Sequence, residues 1–276
     1  MALKDLLVHI DNSQGCRSRL QVALDLAEAH GAHLTGLYVL PRLEIPTYLE
    51  ADIGVDLLAI QQEAVQARAA EAENLFKTAA DRTTVLSEWR RVDGGLARTL
   101  NLHARYTDLV VMGQFDPGDP KSLSAGVDRV VLESGRPVLI IPYGGMRVGI
   151  GAQIMVAWNG SREAVRAIAD ALPLLARAKK VEVVAVNPPT GTAGEGDIPS
   201  ADICVHLARH GVNAEAHHIE ASDREVGEVL LSRVADQGID LIVMGAYGHS
   251  RLREVVLGGA TRHLLHHMTV PVLMSH

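Results

Sequence analysis

Short apolar runs alternate with longer amphipathic segments along this chain. In the first half, the apolar runs predict five strands at residues 5–10, 33–40, 85–91, 108–113 and 137–142. An apolar stripe of helical period, formed by Leu58, Val65, Ala72, Phe76 and Ala79, predicts a long helix over residues 56–80. Alternation of this kind is typical of a parallel sheet covered on both faces by helices.

The second half continues the same alternation. Strands are predicted at residues 181–187 and 214–219, and helices at residues 201–210 and 225–237. A Gly-rich loop at residues 188–199, expected to be mobile, separates the strand at residues 181–187 from the helix at residues 201–210. An apolar run at residues 239–244 then predicts a strand, and residues 260–268 predict a helix.

Three pairs of segments show that the second half repeats the first. Residues 6–13 parallel 154–161, residues 107–113 parallel 239–245, and residues 136–141 parallel 270–275. The chain of 276 residues is about twice the length of a typical domain of roughly 150. A Pro- and Gly-containing linker at residues 142–147 places the boundary near Gly145. We therefore predict two tandem α/β domains, residues 1–145 and 146–276.

Composition narrows the function classes. The net charge of −7 and an aromatic content of 3% argue against binding to nucleic acid or anionic lipid. No run of about 18 apolar residues predicts a membrane span. The first residues enter a strand-like run without the features of an export signal, so a cytoplasmic location is expected. The two cysteines, Cys16 and Cys204, lack the spacing of a zinc site or a disulfide framework.

A glycine motif carries the clearest chemical signal. Gly245 and Gly248 follow an apolar strand, and Gly258 and Gly259 come where the next helix begins. Glycine lets the main chain approach a phosphate closely and tolerates positive φ in tight turns. The free amides of the helix's first turn, with the positive end of its dipole, favour an anion there. The motif therefore predicts a phosphate cradle.

The fold class predicts where that cradle lies. In open sheets of this kind, ligands bind beyond the carboxyl ends of the strands, at the point where the strand order reverses. The loop after the first strand of the second half, residues 158–161, and the loop at residues 245–248 flank one crevice if those two strands are adjacent.

With this motif the chain resembles tandem members of the universal stress protein family. The family signature is a glycine, two residues, a glycine, nine residues, and a further glycine, and here it reads Gly245, Gly248 and Gly258. The resemblance implies doubly wound domains of the adenine nucleotide alpha hydrolase-like fold, each with a five-stranded parallel sheet and helices on both faces. It also implies ATP between the first and fourth strands, with or without Mg²⁺, although AMP and ADP remain alternatives.

The resemblance also assigns residues by position. Ala157 and Asn159 are expected beside the adenosine, Val186 beside the base, and Met244 and Gly245 beside the ribose and phosphates. The residues that would hold phosphate are Gly248, Gly258, Gly259, Ala260 and Thr261. Two positions depart from the family pattern: Asn159 replaces an aspartate, and Gly259 replaces a serine or threonine.

The first half keeps Asp11 but lacks the cradle. Asp116 stands where the second glycine belongs, and Pro117 and Pro120 remove backbone amides. Ser124 and Ala125 correspond to the later glycine pair. Because carboxylates repel phosphate, this domain is not expected to bind ATP in the same way.

Other chemistry has weaker support in the sequence. No GxSxG, P-loop or GxGxxG motif is present, so no catalytic residue is assigned. His263, His266 and His267 lack an HExxH pattern, and no metal site is predicted. Both fifth strands are apolar, and the resemblance implies that the domains dock through them as a pseudo-dimer, with two such chains associating further.

Three functions therefore stay open at this point. The first is a cytoplasmic stress-response protein that binds ATP in its second domain and acts as a nucleotide-dependent sensor or regulator of an unidentified protein partner. The second is a nucleotide-free dimerisation or interaction module. The third is a slow ATPase.

Overall fold

The computed structural model describes residues 2–40, 55–119, 126–145, 149–187, 200–221, 223–246 and 258–276. The N-terminal domain contains β1 Asp5–Ile10, α1 Cys16–His30, β2 His33–Leu40, α2 Val55–Ala80, β3 Ser87–Asp93, α3 Leu96–Ala104, β4 Leu109–Gly113, α4 Val127–Glu133 and β5 Val138–Ile141. The C-terminal domain contains β6 Gln153–Ala157, α5 Arg162–Leu175, β7 Lys180–Val186, α6 Ala201–Arg209, β8 Ala214–Ile219, α7 Val226–Gln237, β9 Leu241–Gly245, α8 Gly259–His267 and β10 Val272–Ser275.

The ten strands form one continuous sheet in the order β3-β2-β1-β4-β5-β10-β9-β6-β7-β8. Each half has its first and fourth strands side by side, and the strand order reverses between them. Every pairing within a half is parallel, whereas β5 and β10 pair antiparallel at the centre, with Leu139 opposite Leu273. The two domains therefore dock through their fifth strands, as the family resemblance implies, and these strands are not free edges.

Two layers of helices cover the sheet and enclose a core on each face. One core contains Leu20 of α1, Ala72 of α2, Ala167 of α5 and Leu207 of α6. The other contains Leu100 of α3, Val130 of α4, Leu230 of α7 and Leu264 of α8. Both cores draw residues from both halves of the chain, so the domain junction is packed on each side of the sheet. This arrangement confirms the predicted doubly wound α/β class.

The predicted elements agree with the structure except at some ends. Strand β3 begins and ends two residues later than predicted, because it pairs along β2 from Leu34 opposite Ser87 to Leu40 opposite Asp93. The Gly-rich loop at residues 188–199 lies outside the described residues. Among the helices described, none combines the length and the hydrophobicity that a bilayer crossing requires. The boundary at Gly145 stays a prediction.

Candidate functional site

The crevice predicted in the C-terminal domain lies between β6 and β9. These strands are neighbours in the sheet, and Ala157 stands opposite Met244 at their carboxyl ends. Helix α5 follows β6, and α8 leads from β9 into the parallel strand β10. The N-termini of both helices must therefore lie at the carboxyl edge of the sheet. The two strands are adjacent, as the predicted crevice between their loops requires.

Three of the predicted residues share one face of the sheet. Met244 is buried with the core beneath α7 and α8, and Ala157 and Val186 are partly buried against the same core. All three lie at or next to the carboxyl end of their strands. They form an apolar surface where the resemblance expects an adenosine.

The first turn of α8 lies where the sequence predicts a bound phosphate. Gly258 is its N-cap, with φ −57° and ψ 143°, and among the described residues no side chain caps this turn. A Cβ added to Gly259 would have no atom of the described residues within 4 Å. The Thr261 side chain is only 3% exposed. The amides of the turn, more than this hydroxyl, are therefore the groups that face outward.

Gly245 lies where β9 packs closely against the start of α5. A Cβ at this position would lie 2.5 Å from the backbone nitrogen of Ala164 and from the carbonyl carbon of Glu163, at the start of α5. Gly245, Gly258 and Gly259 are not among the glycines with positive φ. Glycine is thus required at position 245 because β9 and α5 approach closely. The expectation that tight turns at these positions need positive φ is wrong for these three residues.

Two asparagines shape the loops beside the crevice. The exposed Asn159 accepts a hydrogen bond from the Ser161 amide at 3.1 Å, and the Ser161 hydroxyl accepts one from the Ala164 amide at 3.2 Å, capping α5. Asn187, with φ 46°, bonds both the amide and the carbonyl of Ala221, at 2.7 and 3.1 Å. Asn187 therefore fixes the loop after β8 against the end of β7, a role that sequence reasoning missed.

The remaining residues of the predicted cradle divide between described and undescribed positions. Gly258, Gly259, Ala260 and Thr261 lie together at the start of α8, whereas Gly248 lies outside the described residues. The histidines of α8 lie along the same helix, and His263 contacts the carboxylate of Glu225 at 3.3 Å. In the part of the chain that the structure describes, no three His, Cys, Asp or Glu side chains come together as metal ligands.

A buried ion pair lies at the equivalent position of the N-terminal domain. Arg19 and Asp11 are 2% and 8% exposed, and the Arg19 Nη2 atom lies 2.8 Å from the Asp11 Oδ1 atom. Arg19 also donates from Nε to the His9 carbonyl at 2.7 Å, and Asp11 accepts from the Ser13 amide at 3.0 Å. The aspartate that the resemblance would place beside a ribose is therefore committed to an internal cation.

Burial and charge shift the titration of this cluster. Burial raises the pKa of Asp11, but Arg19, His9 and the hydrogen bond from Ser13 outweigh it and hold this pKa well below its usual range. Burial lowers the pKa of His9 from 6.5 to about 4, with Arg19 acting in the same direction and Asp11 opposing. His9 is therefore neutral and Asp11 is charged at physiological pH.

Further contacts involve the loops that follow β1 and β4 in the N-terminal domain. Any Cβ at Gly113 would meet the Arg19 guanidinium, so this glycine makes room for an arginine. The carboxylate of Asp119, which is 5% exposed, accepts a hydrogen bond from the Gln14 amide at 2.7 Å. Asp116 accepts one from the Gly118 amide at 2.8 Å. Ser124 and Ala125 lie outside the described residues.

The geometry now defines a class: a tandem doubly wound α/β protein with a crevice at a strand-order reversal in each half. The model of the universal stress protein family matches residues 2–142 and 152–276. The chain therefore belongs to the universal stress protein family.

Comparison with individual proteins agrees with this assignment. A universal stress protein from Archaeoglobus fulgidus DSM 4304 is similar with a TM-score of 0.69 at 16% identity, covering 98% of this chain and 95% of that one. A functionally unknown protein from Pseudomonas aeruginosa PAO1 gives a TM-score of 0.60 at 16% identity, covering 99% and 92%. At these identities the likeness shows the fold alone.

A similarity in sequence is confined to a short segment. Universal stress protein Slr1230 of Synechocystis is 44% identical over 46 residues, which are 17% of this chain and 16% of that protein. The activity and partners of such relatives are therefore not transferred to this chain.

Proposed function

We propose that the C-terminal domain binds ATP and that the protein acts in the cytoplasm as a nucleotide-dependent sensor or regulator of the stress response. The observation that carries the proposal is the open first turn of α8, Gly258 to Thr261, at the carboxyl edge where β6 and β9 lie side by side. Uncapped amides at the positive end of a helix dipole bind phosphate without a committed lysine.

Each part of the ligand has a chemically suitable partner. The amides of Gly259 and Ala260 would bind phosphate oxygens. The apolar surface of Ala157, Val186 and Met244 would take the adenosine. Asn159 is exposed beside this surface. Its NH2 group can donate a hydrogen bond to a ribose hydroxyl while its oxygen still accepts the hydrogen bond from the Ser161 amide.

We further propose that the N-terminal domain binds no ATP in this way. Arg19 occupies the space beside Gly113, and the Asp119 carboxylate accepts a hydrogen bond from the Gln14 amide. A bound nucleotide would have to displace an ion pair that is almost fully buried, which is costly because both charges lose their partner.

Isothermal titration calorimetry with ATP tests the proposal. The wild type is expected to bind, and Gly248→Asp is expected to abolish binding because a carboxylate at the cradle repels phosphate. The matched control is Gly144→Asp, which introduces the same side chain at an exposed linker glycine whose Cβ would meet no atom of the described residues within 4 Å. Absence of heat with the wild type, or equal heats for all three proteins, would overturn the proposal.

A phosphate-release assay separates a binding protein from a slow ATPase. With Mg²⁺ and saturating ATP, we expect no release above that of Gly248→Asp. Release that depends on Gly248 would favour the ATPase.

A further inference from the structure

Gln114 of the N-terminal domain holds the C-terminal end of helix α8. It directly follows β4, and its side chain is only 6% exposed. Its Nε2 atom donates to the carbonyls of Leu265 and His266, at 3.0 and 3.2 Å. Its Oε1 atom accepts from the Tyr143 amide at 3.2 Å. Both ends of this side-chain amide are thus bonded to main chain, one in each domain.

The two carbonyls belong to the last turn of the helix whose first turn forms the proposed phosphate site. The last carbonyls of a helix have no partner within it, so Gln114 supplies a C-terminal cap from another domain. Helix α8 has nine residues and is therefore about 13 Å long. A tilt or rotation at its anchored end moves the amides at the other end directly.

Packing fixes the opposite side of the same helix. A Cβ added to Gly227 of α7 would lie 2.7 Å from the Cβ atom of His263, so α7 and α8 are in close contact. Leu264 is fully buried beneath the helix. Gln114 thus adds the polar, domain-crossing contact to a helix that is otherwise held by its own domain.

The corresponding position of the other domain carries no such side chain. The sequence repeat pairs Gln114 with Ala246, which is buried and whose side chain has no amide group. The N-terminal loop that begins at Gln114 is also tied at Asp119, whose carboxylate holds the Gln14 amide. In the C-terminal domain the corresponding loop precedes α8. In the N-terminal domain this loop begins with Gln114, which bonds to α8 across the domain junction.

We infer that Gln114 is a positioning residue through which the N-terminal domain sets the nucleotide affinity of the C-terminal site. This inference rests on the proposed function. Coupling between sites is reciprocal, so a nucleotide that binds the aligned helix must in turn strengthen the bonds of Gln114. The Tyr143 amide, bonded to Gln114 in the N-terminal domain, then reports on occupancy of the C-terminal site.

Three variants of the full chain separate this role from general stability. Gln114→Ala removes all three bonds. Gln114→Glu keeps an acceptor for Tyr143 but places a carboxylate against two carbonyls. Arg166→Ala is the control, because Arg166 of α5 donates across the same domain junction, to the Gly135 carbonyl at 3.2 Å.

ATP titration calorimetry and amide hydrogen exchange provide the readouts. We expect Gln114→Ala to weaken ATP binding by roughly five- to tenfold, Gln114→Glu to weaken it further, and Arg166→Ala to stay within about twofold. In the wild type, ATP is expected to slow exchange at the Tyr143 amide, and in Gln114→Ala it is not. Wild-type affinity in Gln114→Ala, or a Tyr143 amide indifferent to bound ATP, would overturn the inference.

Failure of this inference and failure of the proposed function give different results. Only failure of the proposed function would leave the wild type without heat in the ATP titration. Exchange without nucleotide tests the anchor in either case. Faster exchange of the α8 amides in Gln114→Ala than in Arg166→Ala supports the anchor. Equal exchange in the two variants overturns it.

Discussion

The guanidinium of Arg19 lies 2.8 Å from the carboxylate of Asp11, and both side chains are almost entirely removed from solvent. This pair stands at the carboxyl ends of β1 and β4, which correspond to β6 and β9 in the C-terminal domain. The two halves therefore share one fold but differ in the residues at the carboxyl ends of these strands. A buried ion pair lies there in the N-terminal half, whereas in the C-terminal half no side chain of the described residues caps the first turn of α8.

Breaking the buried pair is expected to destabilise the N-terminal domain. Arg19→Met leaves the Asp11 carboxylate buried without its cation, which costs about 3–5 kcal/mol in the free energy of unfolding. Urea denaturation checks this value. Arg17→Met is the control, because Arg17 is an exposed arginine on the same helix and its loss should cost under about 0.5 kcal/mol.

A double variant tests the physical reason. Asp11→Asn combined with Arg19→Met removes both charges and is expected to be more stable than Arg19→Met alone. If the double variant is as unstable as the single one, the loss comes from packing and the buried-charge explanation is wrong.

His9 is expected to make stability depend on pH. Its pKa is about 4 in the folded protein and about 6.5 in the unfolded chain, so the unfolded state takes up the proton first as the pH falls. The contribution of neutral His9 is complete above pH 6.5 and is lost progressively as the pH falls from 6.5 towards 4. Between pH 7 and pH 5 this loss is roughly 2 kcal/mol.

Comparison of variants isolates this effect from the other histidines. Urea denaturation at pH 7 and pH 5 should show a smaller decrease for His9→Gln than for the wild type. Equal decreases in the two proteins would mean that His9 is not held neutral by burial.

Two glycines of the motif are expected to respond differently to alanine. Gly245→Ala should cost about 2 kcal/mol or more, because the new methyl group meets the backbone of Glu163 and Ala164. Gly259→Ala should change the free energy of unfolding by less than about 0.5 kcal/mol, since no atom of the described residues lies within 4 Å of its Cβ, yet weaken ATP binding about tenfold. Denaturation and calorimetry on both variants check this separation. Loss of stability in Gly259→Ala, or unchanged ATP affinity, would contradict it.

Much of the fold could be predicted from the sequence because it rests on local patterns. The strands at residues 5–10, 33–40 and 214–219 match residue for residue, since apolar runs and turn residues mark their ends. The ends of β3 were predicted less well, because pairing with β2 sets them. The adjacency of β6 and β9 is a condition of the sequence prediction, and the structure meets it.

The departures at the site arise from contacts distant in sequence. Arginine is usually exposed, so the burial of Arg19 against Gly113 has no local signal. Gln114 reaches a carbonyl 151 residues away. The repeat carries a signal for this contact, because the amide of Gln114 in one half corresponds to the methyl group of Ala246 in the other.

The number of ATP molecules bound by one chain tests the central asymmetry most directly. Native mass spectrometry of the full chain, titrated with ATP to saturation, should show one nucleotide per chain in the wild type and none in Gly248→Asp. Two nucleotides per chain, or one that persists in Gly248→Asp, would contradict a closed N-terminal crevice and an open C-terminal one.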